Sequence, residues 1–115
     1  LKRKSLHAVI LDVLLEKWHD GGWAVHYYLQ PDRKDPRMLA QVDEDRHLVH
    51  LYPHPADVPP EKTGLHELIH IGLDLDGEKH REDWAYALEE MMWRRLTKKH
   101  KAILHDMFVK PLKRT

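Results

Sequence analysis

Residues 66–70 read His-Glu-Leu-Ile-His, and this pentapeptide constrains the chain more than any other stretch. Side chains four residues apart on an α-helix lie on one face, one turn above the other. His66 and His70 can therefore present two imidazole nitrogens to one metal ion, with Glu67 angled so that its carboxylate reaches a water beside that ion. Catalytic zinc takes three protein ligands and a water, lowers the pKa of that water, and leaves a nearby carboxylate to accept the proton. Leu65, Leu68, Ile69 and Leu73 are apolar at helical spacing, so the helix is expected to be buried. Buried histidine and glutamate side chains need partners or a metal. The pattern predicts Zn2+ at His66 and His70 and peptide-bond hydrolysis with Glu67 as general base.

The chain as a whole limits the architecture. Its 115 residues form one domain, 1–115, with room for a single core and no second lobe. Lys and Arg number 19, against 19 Asp and Glu. This balance favours neither a nucleic acid nor a membrane partner; a peptide or protein substrate is what the 66–70 motif leads one to expect. With 0 cysteines there is neither a disulfide framework nor a thiolate zinc site. No apolar run approaches membrane-spanning length and no leader pattern follows Leu1, so a cytoplasmic setting is the expectation.

Hydrophobic periodicity divides the chain into elements. Residues 4–18 read as an amphipathic helix through Leu6, Val9, Ile10, Val13, Leu14 and Trp18, with Ser5 as cap and Asp20-Gly21-Gly22 as stop. In residues 23–29, Trp23, Val25, Tyr27 and Leu29 alternate with smaller or polar residues, as in a half-buried strand. Residues 38–42 and 47–52 read as two more strands paired as a hairpin around a charged turn. Four prolines in residues 53–60 make an extended connection. The metal helix is expected over 61–73, a turn over 74–77, a second helix over 78–96 and a final helix over 98–109. The fold class is α+β: an N-terminal helix, a small three-stranded antiparallel sheet, the His-Glu-x-x-His helix, a glutamate helix and a C-terminal helix, all helices on one sheet face.

A third metal ligand is required, and the candidates lie downstream. Asp76 stands where metzincin-type sites place a third histidine, but the turn glycine of that pattern falls on Leu73, with Gly72 one residue early. The following helix offers acids. At 100° per residue, Trp84, Ala85, Leu88, Met91, Met92 and Leu96 form an apolar arc. Glu82 and Glu89 lie at one edge of it, and Asp83 lies on the opposite flank. Ala85, one turn after Glu82, allows close helix approach. Glu82 or Glu89 can therefore face the metal, with Asp76 and His80 as further alternatives.

His66-Glu67-Leu68-Ile69-His70 followed by Glu82-Asp83-Trp84-Ala85 resembles the H-E-x-x-H plus E-x-x-A pattern of small gluzincin metallopeptidases, including the one-lobed minigluzincins and ImmA/IrrE-type peptidases. The resemblance covers residues 63–96 and extends to the rest through element order. It implies Glu82 as the glutamate ligand and an edge strand before the metal helix, residues 47–52, that binds peptide by β-addition. The chain departs from larger gluzincins at Tyr86, where those proteins carry an Asp or Asn that supports the first histidine.

Other residues carry weaker signals. His50 and Tyr52 share a strand face and are candidate substrate contacts. Tyr52, Tyr86, His80 and His105 are candidate oxyanion donors. His47, His50 and His54 read as surface and edge histidines rather than a second metal site. Trp18, Trp23, Trp84 and Trp93 read as core or boundary aromatics, and the basic residues near both ends as solvated termini. The rival function is a non-enzymatic zinc module in which the ion tethers two helices and the domain binds a protein or nucleic acid. A third reading is an accidental motif with no metal.

Overall fold

The computed structural model describes residues 5–73 and 79–110. Asp76, the expected turn at 74–77, Glu78, the basic residues 2–4 and Lys113 and Arg114 lie outside the described residues. The elements run α1 (Leu6–Asp20), β1 (Ala24–Tyr27), β2 (Ala40–Asp43), β3 (Leu48–Leu51), α2 (Pro60–Leu73), α3 (Arg81–Trp93) and α4 (Lys98–Phe108). Among the described residues this is an α+β fold of four helices and a three-stranded sheet. No helix among the described residues is long and apolar enough to cross a membrane.

Local sequence sets the ends of α1. The Ser5 side chain accepts from the Ala8 backbone N–H at 3.2 Å, capping an otherwise unpaired donor. At the other end Gly22 takes φ +65°. The Gly22 and Trp23 N–H groups return to His19 and Trp18 carbonyls at 3.1 and 3.2 Å, the hydrogen-bond pattern of a Schellman stop. Trp23 then stacks on Trp18 with ring centroids 6.0 Å apart. The buried line of α1 is Ala8, Leu11 and Leu14, while Leu6, Val9 and Val13 are exposed. The helix is apolar on most of its circumference, so its own period does not fix which arc faces inward.

The sheet departs from the all-antiparallel expectation. Its order is β1-β3-β2, with β2 antiparallel to β3 as the hairpin requires but β1 parallel to β3. The loop after β1 carries the chain to the far edge, and the hairpin folds β3 back between β2 and β1. Val49 and Leu51 of β3 are fully buried, which suits the central strand. Residues 48–51 are therefore central, and β1 and β2 are the two edges. Tyr52 N–H bonds Leu39 C=O at 2.9 Å, and antiparallel pairing alternates. Ala40 and Val42 thus turn their backbone N–H and C=O groups away from β3, toward the free side.

α2 runs through the centre, with α1, α3 and α4 packed on it and β2 alongside. Two glycines permit these approaches. A Cβ on Gly64 would stand 2.2 Å from the Phe108 ring, and one on Gly72 would stand 2.1 Å from a Leu14 methyl. Both neighbours are fully buried and have no space to retreat into. Gly64→Ala and Gly72→Ala should each destabilise the fold by about 1–3 kcal/mol through overpacking, despite a gain of about 1 kcal/mol in helix propensity. Urea denaturation checks this, and unchanged midpoints in both variants would show that the helices do not meet there.

Polar clips complete the packing. Lys17 Nζ donates to the Gly72 carbonyl at 2.9 Å, and His100 Nε2 lies 2.8 Å from Asp12 Oδ1, joining α4 to α1. The Tyr27 hydroxyl donates to the Met107 carbonyl. His54 joins the end of β3 to α2. Its Nδ1–H donates to the Tyr52 carbonyl at 2.7 Å, and its Nε2 lies 2.9 Å from Thr63 Oγ1. Burial holds the His54 pKa below its ordinary value, against the Tyr52 carbonyl and Glu61. The arc expected on α3 is split: Ala85 and Met92 are buried, with Glu89 of its edge, whereas Trp84 is 60% and Met91 49% exposed.

Candidate metal centre

α2 supplies His66 and His70, one turn apart, with ring centroids separated by 4.8 Å. The first turn of α3 supplies Glu82. His66 Nε2 and His70 Nε2 are 3.2 Å apart. Glu82 Oε2 lies 3.5 Å from His66 Nε2, and its Oε1 lies 2.6 Å from His70 Nε2. All three residues thus bring a ligand atom within 4.8 Å of the others, and the group can hold a metal ion. Ligand atoms at about 2.0–2.1 Å from a tetrahedral ion stand roughly 3.3 Å from one another, close to the two separations made by His66.

The donor chemistry fits a cation. Glu89 Oε1 lies 2.8 Å from His66 Nδ1, and an ionised carboxylate only accepts, so Nδ1 carries a hydrogen, and in the neutral ring Nε2 is the nitrogen with the lone pair. His66 Nε2 is then a lone pair aimed at a second imidazole nitrogen and a carboxylate. A cation lodged among them, a proton on His66 or a metal ion, relieves the crowding of these acceptors. The electrostatics show the same competition. Burial pulls the His66 pKa down, but the Glu89 hydrogen bond and the charges of Glu67, Glu89 and Glu82 outweigh it and leave it above the ordinary value. Burial and the neighbouring His66 lower that of His70, against the pull of Glu82.

Glu67 faces the same cavity, of about 750 Å³, which is also lined by His66, His70, Glu82, Tyr86 and residues 37–42 on the β2 side. Burial, reinforced by the charges of Glu82 and Glu89 and opposed by His66, pushes the Glu67 carboxyl from 4.5 up to about 7. A carboxyl poised there is suited to exchanging protons near neutral pH.

The remaining candidates separate. Glu89 sits behind His66, on the ring edge opposite the cluster, and is not among the three grouped donors. His80 precedes α3, exposed, with Nδ1 3.5 Å from Asp83. His105 is half-buried on α4 beside Asp106. Tyr86 lines the cavity and packs its ring 4.5 Å from that of His66. His50 and Tyr52 are not among the cavity's lining residues. They belong to an aromatic group with Tyr28, whose hydroxyl lies 2.9 Å from His50 Nδ1 and whose ring stacks on Tyr52 at 4.8 Å. His47 stacks on Trp23 at 4.5 Å and bonds the Gly21 carbonyl, so His47, His50 and His54 go to three different places.

Two features escaped the sequence reading. Lys62, one turn before His66, lies 3.7 Å from Glu89 Oε2 and also bonds Glu90. Its spacing from His66 was the available signal. The approach of residues 37–42 to the cavity left no sequence signal, because it depends on strand order. Comparison of the chain with protein-family models, with curated proteins and with solved structures gave no match.

Proposed function

We propose that the chain is a compact, one-lobed zinc metallopeptidase of the small gluzincin type. The observation that carries this reading is the convergence of His66 Nε2, His70 Nε2 and a Glu82 oxygen in an open cavity shared with Glu67. His66, His70 and Glu82 would hold the ion. Bound zinc would supply polarisation, making water a better nucleophile and the scissile carbonyl a better electrophile.

The chain's own groups supply the rest. Glu67 takes a proton from the attacking water as its oxygen bonds to the carbonyl carbon, and passes that proton to the amine as the C–N bond breaks. Of the four candidate oxyanion donors, Tyr86 is the one that lines this cavity; its phenol donates to the oxygen on which charge develops. The substrate lies extended beside β2 and pairs with the outward backbone groups of Ala40 and Val42. The edge expected at residues 47–52 is thereby reassigned to β2.

One observation favours the non-enzymatic alternative. The buried line of α3 is short, made of Ala85, Glu89 and Met92, so an ion bridging Glu82 to α2 would also tether that helix. The two readings separate in one experiment. Protein stripped with a chelator and reloaded with one equivalent of zinc is incubated with a mixed library of unstructured peptides. Zinc-dependent cleavage, lost on stripping and restored on reloading, is the expected result. Stoichiometric zinc binding with every peptide left intact would overturn the enzyme reading and leave the tether.

A further inference from the structure

The acid that the sequence left as an alternative ligand has a different place. Glu89 is buried, and both it and His66 have side chains only 9% exposed. Its Oε1 meets His66 Nδ1 at 2.8 Å, and its Oε2 lies 3.7 Å from Lys62 Nζ. The lysine compensates the charge of a carboxylate that would otherwise be costly to bury. Which nitrogen of an imidazole keeps its lone pair is set by the hydrogen bond that the other nitrogen makes. A carboxylate at Nδ1 therefore leaves Nε2 free, and Nε2 is the atom 3.2 Å from His70 and 3.5 Å from Glu82. Tyr86, one turn before Glu89, packs its ring on that of His66.

We infer that Glu89 is a positioning residue: it locks His66 in the Nδ1–H tautomer and in the ring orientation that points Nε2 at His70 and Glu82. The site thus has its histidine-supporting acid one turn later on α3 than Tyr86, from a side chain anchored by Lys62. The importance of this role for zinc rests on the metal-centre reading above, but the tautomer itself is a property of the chain alone. Carboxylates behind metal-binding histidines typically change metal affinity about 10–100-fold when removed.

The test uses the full chain and two variants, Glu89→Gln and Glu89→Leu. Long-range proton–nitrogen NMR of the metal-free protein, at alkaline pH where the ring is neutral, reads the His66 tautomer, and competition against a chelating dye reads zinc affinity. The parent should show the Nδ1–H form. Gln, which still accepts but carries no charge, should weaken zinc less than Leu. Leu should shift the ring toward the Nε2–H form and weaken zinc by about 10–100-fold. Met92→Ala, on the same buried face of α3, serves as control: it should lower the melting temperature while leaving tautomer and affinity unchanged. Folded Glu89→Gln and Glu89→Leu proteins that keep the parent's tautomer and affinity would overturn the inference. If the parent binds no zinc, the metal-centre reading fails, and the tautomer measurement alone decides the role of Glu89.

Discussion

Glu67→Gln should leave zinc affinity nearly unchanged and reduce peptide cleavage by roughly 10²–10⁴-fold, the usual contribution of a positioned general base. Gln has the same shape but takes no proton at neutral pH. The residue is not one of the three grouped donors, so the metal site survives the change. The same variant makes a second prediction in the metal-free protein. The Glu67 carboxyl is raised from 4.5 to about 7, so the folded state holds its proton more tightly than the unfolded chain. The associated stability is fully present below pH 4.5 and is lost as pH rises through about 7. Removing the ionisable group should therefore stabilise the metal-free fold at pH 8 by roughly 1–3 kcal/mol, the upper end following from about 1.4 kcal/mol per unit and the lower from partial solvent access. The gain should be much smaller at pH 5. Urea midpoints in the presence of chelator measure both, and an equal gain at the two pH values would sink the electrostatic account.

His70→Ala and Glu82→Ala should each weaken zinc binding by roughly 10²–10³-fold. Structural zinc sites bind with about 10–16 kcal/mol shared among their ligands, or about 3 kcal/mol per ligand. The readout need not be activity. Zinc at a hundred times its Kd stabilises the parent by about 2.7 kcal/mol, a rise of roughly 10 °C in melting temperature for a domain of this size. At the same zinc concentration the two variants should show only a small part of that rise. The ranking also tests the ligand assignment. A carboxylate that touches the ion should cost more than one acting from behind a histidine, so Glu82→Ala should exceed Glu89→Leu. The reverse order would make Glu89 the ligand and Glu82 an exposed neighbour of His70.

Much of the candidate centre was legible because its signals are local. The spacing of His66 and His70 fixes their common face once the segment is helical, and the apolar residues at 65, 68 and 69 make it helical and buried. The helix plot of α3 brought both Glu82 and Glu89 to one edge, but it could not divide their roles. They are seven residues apart, nearly in line along the helix, and only the position of α3 against α2 sets Glu82 among the nitrogens and Glu89 behind the ring. Trp84 was misplaced for a related reason. It lies on an apolar arc, yet α3 packs through Ala85 and Met92, leaving the indole exposed. Gly72, which reads as a displaced turn residue, is a helical contact against Leu14.

The sequence by itself determined the elements, most of their ends and the residue types at the candidate centre, because helix period, strand alternation and capping depend on neighbours a few positions away. The tertiary structure alone decided the parallel pairing of β1 with β3, the placing of β2 rather than β3 at an edge beside the cavity, the inward arc of α1 and the partner of His66 Nδ1. Each of these depends on contacts between residues far apart in the chain. No local period encodes such contacts, and they are chosen by which close approaches the core allows.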